Sequence, residues 1–123
     1  MSLEFKVVKE VPQGKPTVAV LKLRGWLDAQ GEALLVEAVR KAKAEGAASV
    51  LLDLKDVSLI TSAGIRAIQK SFAIMTPRGG TVLGRLKLCN AAPTVYEVLS
   101  VTGMLVSVPM YESADIAIDS FDK

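Results

Sequence analysis

The sequence predicts an α/β fold: a mixed β-sheet that begins with an antiparallel hairpin, continues as alternating β and α segments, and has about four helices packed on it. Three observations carry this. The apolar spacing changes from a period of two before Gly25 to helical spacing after it. Two later apolar runs, residues 50–54 and 82–89, are each followed by a segment with helical spacing. Glycine and proline punctuate the changeovers, at residues 12–16, 46, 77–80, 93 and 103. A hairpin followed by strand–helix alternation places helices against a sheet. The 123 residues fit one domain spanning 1–123.

In the first strand, Phe5 and Val7 alternate with Glu4 and Lys6. Pro12, Gly14 and Pro16 mark a turn, and residues 17–24 form the second strand, with Leu21 and Leu23 opposite Lys22 and Arg24. Gly25 ends it. Asp28 or Ala29 opens a helix that runs to Ala44, with Leu35, Ala38, Val39 and Ala42 on one face. Gly46 follows its last turn, where a left-handed residue is favoured. Residues 50–54 read as a covered central strand. A connector at 55–58 leads to a second helix from about Ser62 to Met75, with Ile65, Ile68, Phe72 and Met75 as its buried stripe and Pro77, Gly79 and Gly80 as its stop. Residues 82–89 form another strand. Pro93 stands in the first turn of a third helix, where its missing N–H costs nothing. Val95, Val98 and Leu99 are that helix's apolar side and Gly103 its end. Residues 105–108 are a short last strand, and Ala114, Ala117, Ile118 and Phe121 mark a final helix N-capped by Ser113.

Half of the residues are hydrophobic and 23% are charged, a globular balance. With one Trp, two Tyr and three Phe, the core must be aliphatic, with Phe5, Phe72 and Phe121 as fillers. Fifteen basic against 13 acidic residues leave a formal charge of +2, too small and too evenly spread for a nucleic-acid partner. The densest basic group, Arg78, Arg85 and Lys87, reads as a solvated face. The single cysteine, Cys89, excludes an intramolecular disulfide and reads as a small buried side chain. No apolar run approaches the ~18 residues of a membrane helix, and the N-terminus lacks the apolar stretch of a signal peptide. Direct membrane insertion is therefore not expected, and the chain reads as cytoplasmic.

Histidine is absent, which removes Ser-His-Asp and Cys-His catalysis and any His-based zinc site. The sequence has no phosphate-gripping P-loop, no dinucleotide-binding glycine fingerprint and no G-x-S-x-G elbow. A receiver domain would need paired acids after its first strand, where Pro12 stands instead. No catalytic set assembles, so the chain is not read as an enzyme, and no metal or cofactor is expected. Asp28 and Asp53 are the carboxylates at strand ends that could converge; each also has a structural reading, as a helix N-cap and as a backbone-bonded polar group.

What remains is Ile60-Thr61-Ser62-Ala63-Gly64, which joins an apolar strand and loop to an amphipathic helix. Thr61 or Ser62 is its N-cap. Gly64 costs the helix about 1 kcal/mol relative to Ala, so close packing or the approach of a partner must account for it. A helix N-terminus carries about half a positive charge and free N–H donors, while a phosphoserine brings about −1.5 to −2 charge. The helix could bear a phosphate at Ser62 that a protein docked over it could not.

Residues 53–65, Asp53-Leu54-Lys55-Asp56-Val57-Ser58-Leu59-Ile60-Thr61-Ser62-Ala63-Gly64-Ile65, resemble the central signature of STAS domains, the anti-sigma factor antagonists, in which an Asp-Leu strand leads to an Asp-Ser-Ser-Gly-Leu type turn. Gly25-Trp26-Leu27-Asp28, the segment from Leu88 through Pro93 to Val95, and Ser100-Val101-Thr102-Gly103-Met104 resemble three further family segments, in the same order. The resemblance implies a STAS-like fold and a bacterial partner-switching role. The unphosphorylated protein would bind an anti-sigma factor that is also a serine kinase, the kinase would phosphorylate and release it, and a phosphatase would reset it. Ser62 aligns with the family's acceptor, Thr61 with the Asp before it and Ala63 with the second Ser. Both of these neighbours depart from the pattern, and Thr61 is the second candidate acceptor. The implied docking surface comprises Asp28, Thr61, Ser62, Ala63, Gly64, Ile65, Arg66 and Gln69. A monomer or weak dimer is expected. The alternative is an unphosphorylated STAS scaffold or a regulatory subunit of a stress-signalling or membrane-transport assembly.

Overall fold

Alternating and continuous apolar runs build a five-stranded sheet in the computed structural model, which describes residues 4–76 and 85–121. The elements are β1 (Lys6–Glu10), β2 (Val18–Leu27), α1 (Ala29–Ala44), β3 (Ser49–Ile60), α2 (Ser62–Met75), β4 (Leu86–Cys89), α3 (Pro93–Val101), a 3₁₀ turn (Met104–Val106), β5 (Met110–Tyr111) and α4 (Ala114–Ser120). The strands lie in the order β1-β2-β3-β4-β5. The β1–β2 hairpin is antiparallel and the other pairings are parallel, so the sheet is mixed as the sequence predicts.

Side chains alternate across the sheet. Ala19, Leu21 and Leu23, then Val50, Leu52 and Leu54, then Leu86 and Leu88, join Leu35, Val39, Ala42, Ala67, Ile68, Val95 and Leu99 of the helices in the main core. The opposite face is thinner: Val20, Leu51 and Cys89 meet Ala117 of α4. Phe5 is buried, whereas Phe72 and Phe121 are half-buried.

Helix boundaries follow the local chemistry. Asp28 caps α1, Thr61 caps α2 and Ser113 caps α4, while Pro93 opens α3. Gly46 takes φ +107 just past α1, and its N–H donates to Lys43 O. The buried side of α2 is narrower than its apolar periodicity suggests. Gly64, Ala67, Ile68, Ser71 and Met75 are buried, whereas Ile65 and Phe72 are only half-buried. Ser71 donates to Ala67 O at 2.8 Å, which satisfies its buried hydroxyl.

The sheet departs from the sequence reading in several places. β2 does not end at Gly25 but continues to Leu27 in parallel pairing with β3. Gly25 adopts φ +102 there, and an added Cβ would lie 2.6 Å from Glu4 O, so both the conformation and the space require glycine. Residues 55–58 are not a connector; β3 runs through them to Ile60. Two register shifts each give β3 one residue more than β2, between Lys22–Asp53 and Arg24–Asp56 and between Gly25–Val57 and Trp26–Leu59. Those extra residues turn the inward spacing from two to three, so Leu54, Val57 and Ile60 are buried while Lys55, Asp56, Ser58 and Leu59 face solvent.

The last strand is Met110–Tyr111, not residues 105–108. Gly103, at φ +79, starts a tight turn in which Val106 N–H donates to Gly103 O and Ser107 N–H to Met104 O, leaving Val106 exposed. On α3, Val95 and Leu99 are buried but Val98 is exposed. Pro77, Gly79 and Gly80, offered as the stop of α2, and the first part of the 82–89 strand lie outside the described residues.

Lys87 is also not on a solvated face. It is buried, its Nζ donates to Ser120 Oγ at 2.6 Å, and it lies over the Tyr111 and Phe121 rings at 5.2 and 4.6 Å. Arg85 is half-buried, and Arg78 lies outside the described residues. Cys89 is buried as expected. Its thiol is pushed up to about 12, mainly by burial and then by the charge of Asp53, which leaves it protonated and inert near neutral pH.

Candidate functional site

The site is assembled by one strand pairing. Leu27 and Ile60 are register partners at the ends of β2 and β3, and the residues that follow them, Asp28 and Thr61, cap α1 and α2. Two parallel strands ending together set two helix N-termini side by side at the carboxyl edge of the sheet. Thr61 N–H donates to Leu27 O at 3.1 Å and ties the second junction to the first.

Asp28 Oδ1 accepts from Gln30 N at 3.0 Å and Gly31 N at 3.4 Å. The N-cap role considered for it is the observed one. Replacing Asp28 by Ala should cost about 1 kcal/mol in urea unfolding, and Asn should restore most of it, because both Asp and Asn side chains accept from the first turn.

Thr61, not Ser62, caps α2. Its backbone is extended, its Oγ1 accepts from Gly64 N at 3.5 Å, and its carbonyl accepts from Ile65 N at 2.9 Å. Ser62 is therefore the first helical residue, and it is exposed. The first turn of α2 holds no acidic residue, so nothing within it offsets the positive end of the helix.

Ala63 and Gly64 are buried beneath Ser62. A Cβ on Gly64 would overlap the Leu27 carbonyl oxygen and lie 2.9 Å from both Leu27 Cγ and Ile60 Cγ1. The glycine is therefore explained by close helix-to-strand packing. Ser62, Arg66 and Gln69 fall on one side of α2 and are exposed, with half-buried Ile65 beside them. Next to Gln69 a groove of about 240 Å³ is lined by Phe72, Thr102, Met104 and Val108.

Arg66 carries an interaction the sequence does not advertise. Its Nε and Nη2 donate to Glu32 of α1 at 3.1 and 3.4 Å, and Lys70 Nζ reaches the same carboxylate at 2.9 Å. The Lys70 hydrogen bond first, and the Arg66 one second, hold the Glu32 carboxyl below its ordinary range. Glu32 and Lys70 are the residues sequence reasoning missed. The one signal available was the four-residue spacing of Arg66 and Lys70, which puts two cations on one side of α2.

The structure does not bring Asp28 and Asp53 together. Asp53 lies in the middle of β3, in register with Lys22 and Cys89 and seven residues before Ile60. It is buried, and its Oδ1 accepts from Lys55 N at 3.0 Å and Asn90 Nδ2 at 3.2 Å. Its role is structural, in a central strand and not at a strand edge. Among the described residues, no three His, Cys, Asp or Glu side chains gather as metal ligands would, and no helix is long and apolar enough to cross a membrane.

The sequence model of the STAS domain family matches residues 10–117. No curated protein sequence matches. Among solved structures, an anti-sigma factor antagonist from Mycobacterium paratuberculosis is similar, with a TM-score of 0.81, 18% identity, and 98% of this chain and 96% of that one covered. SpoIIAA, an anti-sigma factor antagonist, in its unphosphorylated form gives a TM-score of 0.73, 18% identity, and coverage of 97% and 96%. The murine anion transporter Slc26a9 matches with a TM-score of 0.67 and 18% identity, over 93% of this chain but 21% of that one. Identities this low speak to the fold.

Proposed function

Because the chain belongs to the STAS domain family, we propose that it is an anti-sigma factor antagonist that works by phosphorylation-controlled partner switching. One observation carries the reading: Ser62 stands exposed on the first turn of α2, on a helix end with no carboxylate of its own. An unmodified Ser62 lets an anti-sigma factor with serine kinase activity dock across Asp28, Thr61, Ser62, Ile65, Arg66 and Gln69, while Ala63 and Gly64, expected in that surface, are buried and can only support it from beneath. The kinase brings its own ATP, so this chain has no catalytic duty and needs no cofactor. Phosphate on Ser62 puts a dianion under the docked surface and releases it, and a phosphatase reverses the step. A cytoplasmic location suits such partners.

Buried Ala63 and Gly64 support a rigid platform under the acceptor, and the exposed row Ser62, Arg66 and Gln69 supports docking along α2. Thr61 is half-buried and its Oγ1 accepts from Gly64 N. That engagement argues for Ser62 over Thr61 as acceptor. Mass spectrometry of the protein from its own cell should find one phosphate, on Ser62, and incubation with the cognate kinase and ATP should label native protein but not Ser62→Ala. Labelling that persists in Ser62→Ala and disappears in Thr61→Ala would move the acceptor. A consistent lack of phosphate would favour the second reading, a STAS scaffold or regulatory subunit, which the likeness to part of an anion transporter supports.

A further inference from the structure

We infer that Arg66 is a movable clamp that holds Glu32 of α1 while Ser62 is unmodified and turns to the phosphate once Ser62 carries one. The inference rests on the reading of Ser62 as a phosphoacceptor and deepens it, because it names the group on this chain that receives the modification.

Arg66 lies four residues after Ser62, one turn along the same side of α2. The guanidinium now lies on Glu32, but helical side chains lean towards the N-terminus, so from this position it can reach back to the turn that holds Ser62. It is 55% exposed, which leaves it room to change partners. A guanidinium matches phosphate oxygens with two parallel N–H donors, the same fork it now presents to the two Glu32 oxygens.

Departure of Arg66 does not leave a bare carboxylate. Glu32 is only 16% exposed, and Lys70 Nζ stays 2.9 Å from the oxygen that Arg66 Nε also uses. The Lys70 hydrogen bond is also the largest single cause holding the Glu32 carboxyl below its ordinary range. Two cations share one acid, so one of them can leave.

The charged groups around the acceptor sharpen the case. From α1 come Asp28 at its cap and Glu32 in its first turn, both of the same sign as a phosphate. From α2 come Arg66 and Lys70. A phosphate on Ser62 therefore meets acids across the helix pair, and Arg66 is the cation one turn away on its own helix. The contact loosened is the α1–α2 clasp, so the modification would reach the helix pair as well as the docking surface.

The test uses the full chain with phosphoserine encoded genetically at position 62, so that no kinase is needed, and follows its phosphorus resonance through a pH titration. The second ionisation of phosphoserine is ordinarily near 6. With Arg66 present it should fall below that. Arg66→Gln should raise it by about half a unit, and Arg66→Lys should recover part of the difference. Glu32→Gln, which frees Arg66 from its rival, should lower it further. Superimposable curves for the native chain and Arg66→Gln, or no response to Glu32→Gln, would overturn the clamp. The kinase-labelling result is independent: Ser62 left unlabelled there sinks the acceptor reading, whereas flat titrations sink only the role of Arg66.

Discussion

Gly64→Ala should destabilise the protein by about 2 kcal/mol, although helix propensity alone predicts a gain of about 1 kcal/mol. The sign of the change separates the two effects in one measurement. Gly64 sits in the first turn of α2 against the end of β2, where the new methyl would overlap the Leu27 carbonyl oxygen and press on Leu27 Cγ and Ile60 Cγ1. A backbone carbonyl cannot rotate aside as a side-chain terminus can, so the helix end must shift. Overpacking of this kind costs about 3 kcal/mol at the upper end of its usual range, and propensity offsets about a third of that. For a chain of 123 residues the net loss lowers Tm by about 8 °C. Urea unfolding of native and Gly64→Ala protein measures it, and a stabilised variant would show that the contact of Gly64 with the Leu27 carbonyl yields at little cost. The shift would also disturb the Thr61 N–H bond to Leu27 O, and with it the position of Ser62.

The same glycine shows what the sequence can carry and what it cannot. Its placement near the start of a helix is legible, because Thr61 and Ser62 precede an amphipathic stretch and Gly interrupts it. Its reason is not, because the clashing group is a carbonyl 37 residues earlier in the chain. Helices were legible for a related cause: their caps and periodicity are local, and Asp28, Ser113 and Pro93 act within one turn of themselves. The extent of β3 was not, since it depends on two extra residues accommodated against β2, which give Leu54, Val57 and Ile60 an inward spacing of three. A spacing of three belongs to neither a regular strand nor a helix and reads as a loop. The apolar run at 105–108 failed in the opposite sense: strand-forming residues were present, but the left-handed Gly103 committed the chain to a turn. At the candidate site, the exposed hydroxyl and its helix end could be anticipated from a few consecutive residues. The Glu32–Arg66–Lys70 group could not, because it depends on how α1 lies against α2.

Ser62→Asp should weaken binding of the anti-sigma partner by about 30- to 150-fold while leaving the fold slightly more stable. The two effects have opposite signs and a common origin. Ser62 is the first residue of α2, where a carboxylate interacts favourably with the helix dipole, worth about 0.3–1 kcal/mol. That site has no acidic neighbour in its own turn, the acids Asp28 and Glu32 of α1 are offset by Arg66 and Lys70, and the substitution removes no cap because Thr61 supplies the cap. The stability of the free protein should therefore rise, with Tm higher by a few degrees. In the complex the same carboxylate is taken out of water against a surface shaped for a hydroxyl. An unpaired charge at an interface costs roughly 2–3 kcal/mol, which is the affinity loss stated. Ser62→Ala lacks the charge and should bind within a few-fold of native. Calorimetric titration of the three proteins into the cognate kinase, beside their thermal melts, checks both halves. Native-like affinity in Ser62→Asp would remove the electrostatic basis of the switch. A loss of affinity accompanied by a fall in Tm would instead trace the effect to damage at the helix end, since charge alone moves the two quantities apart.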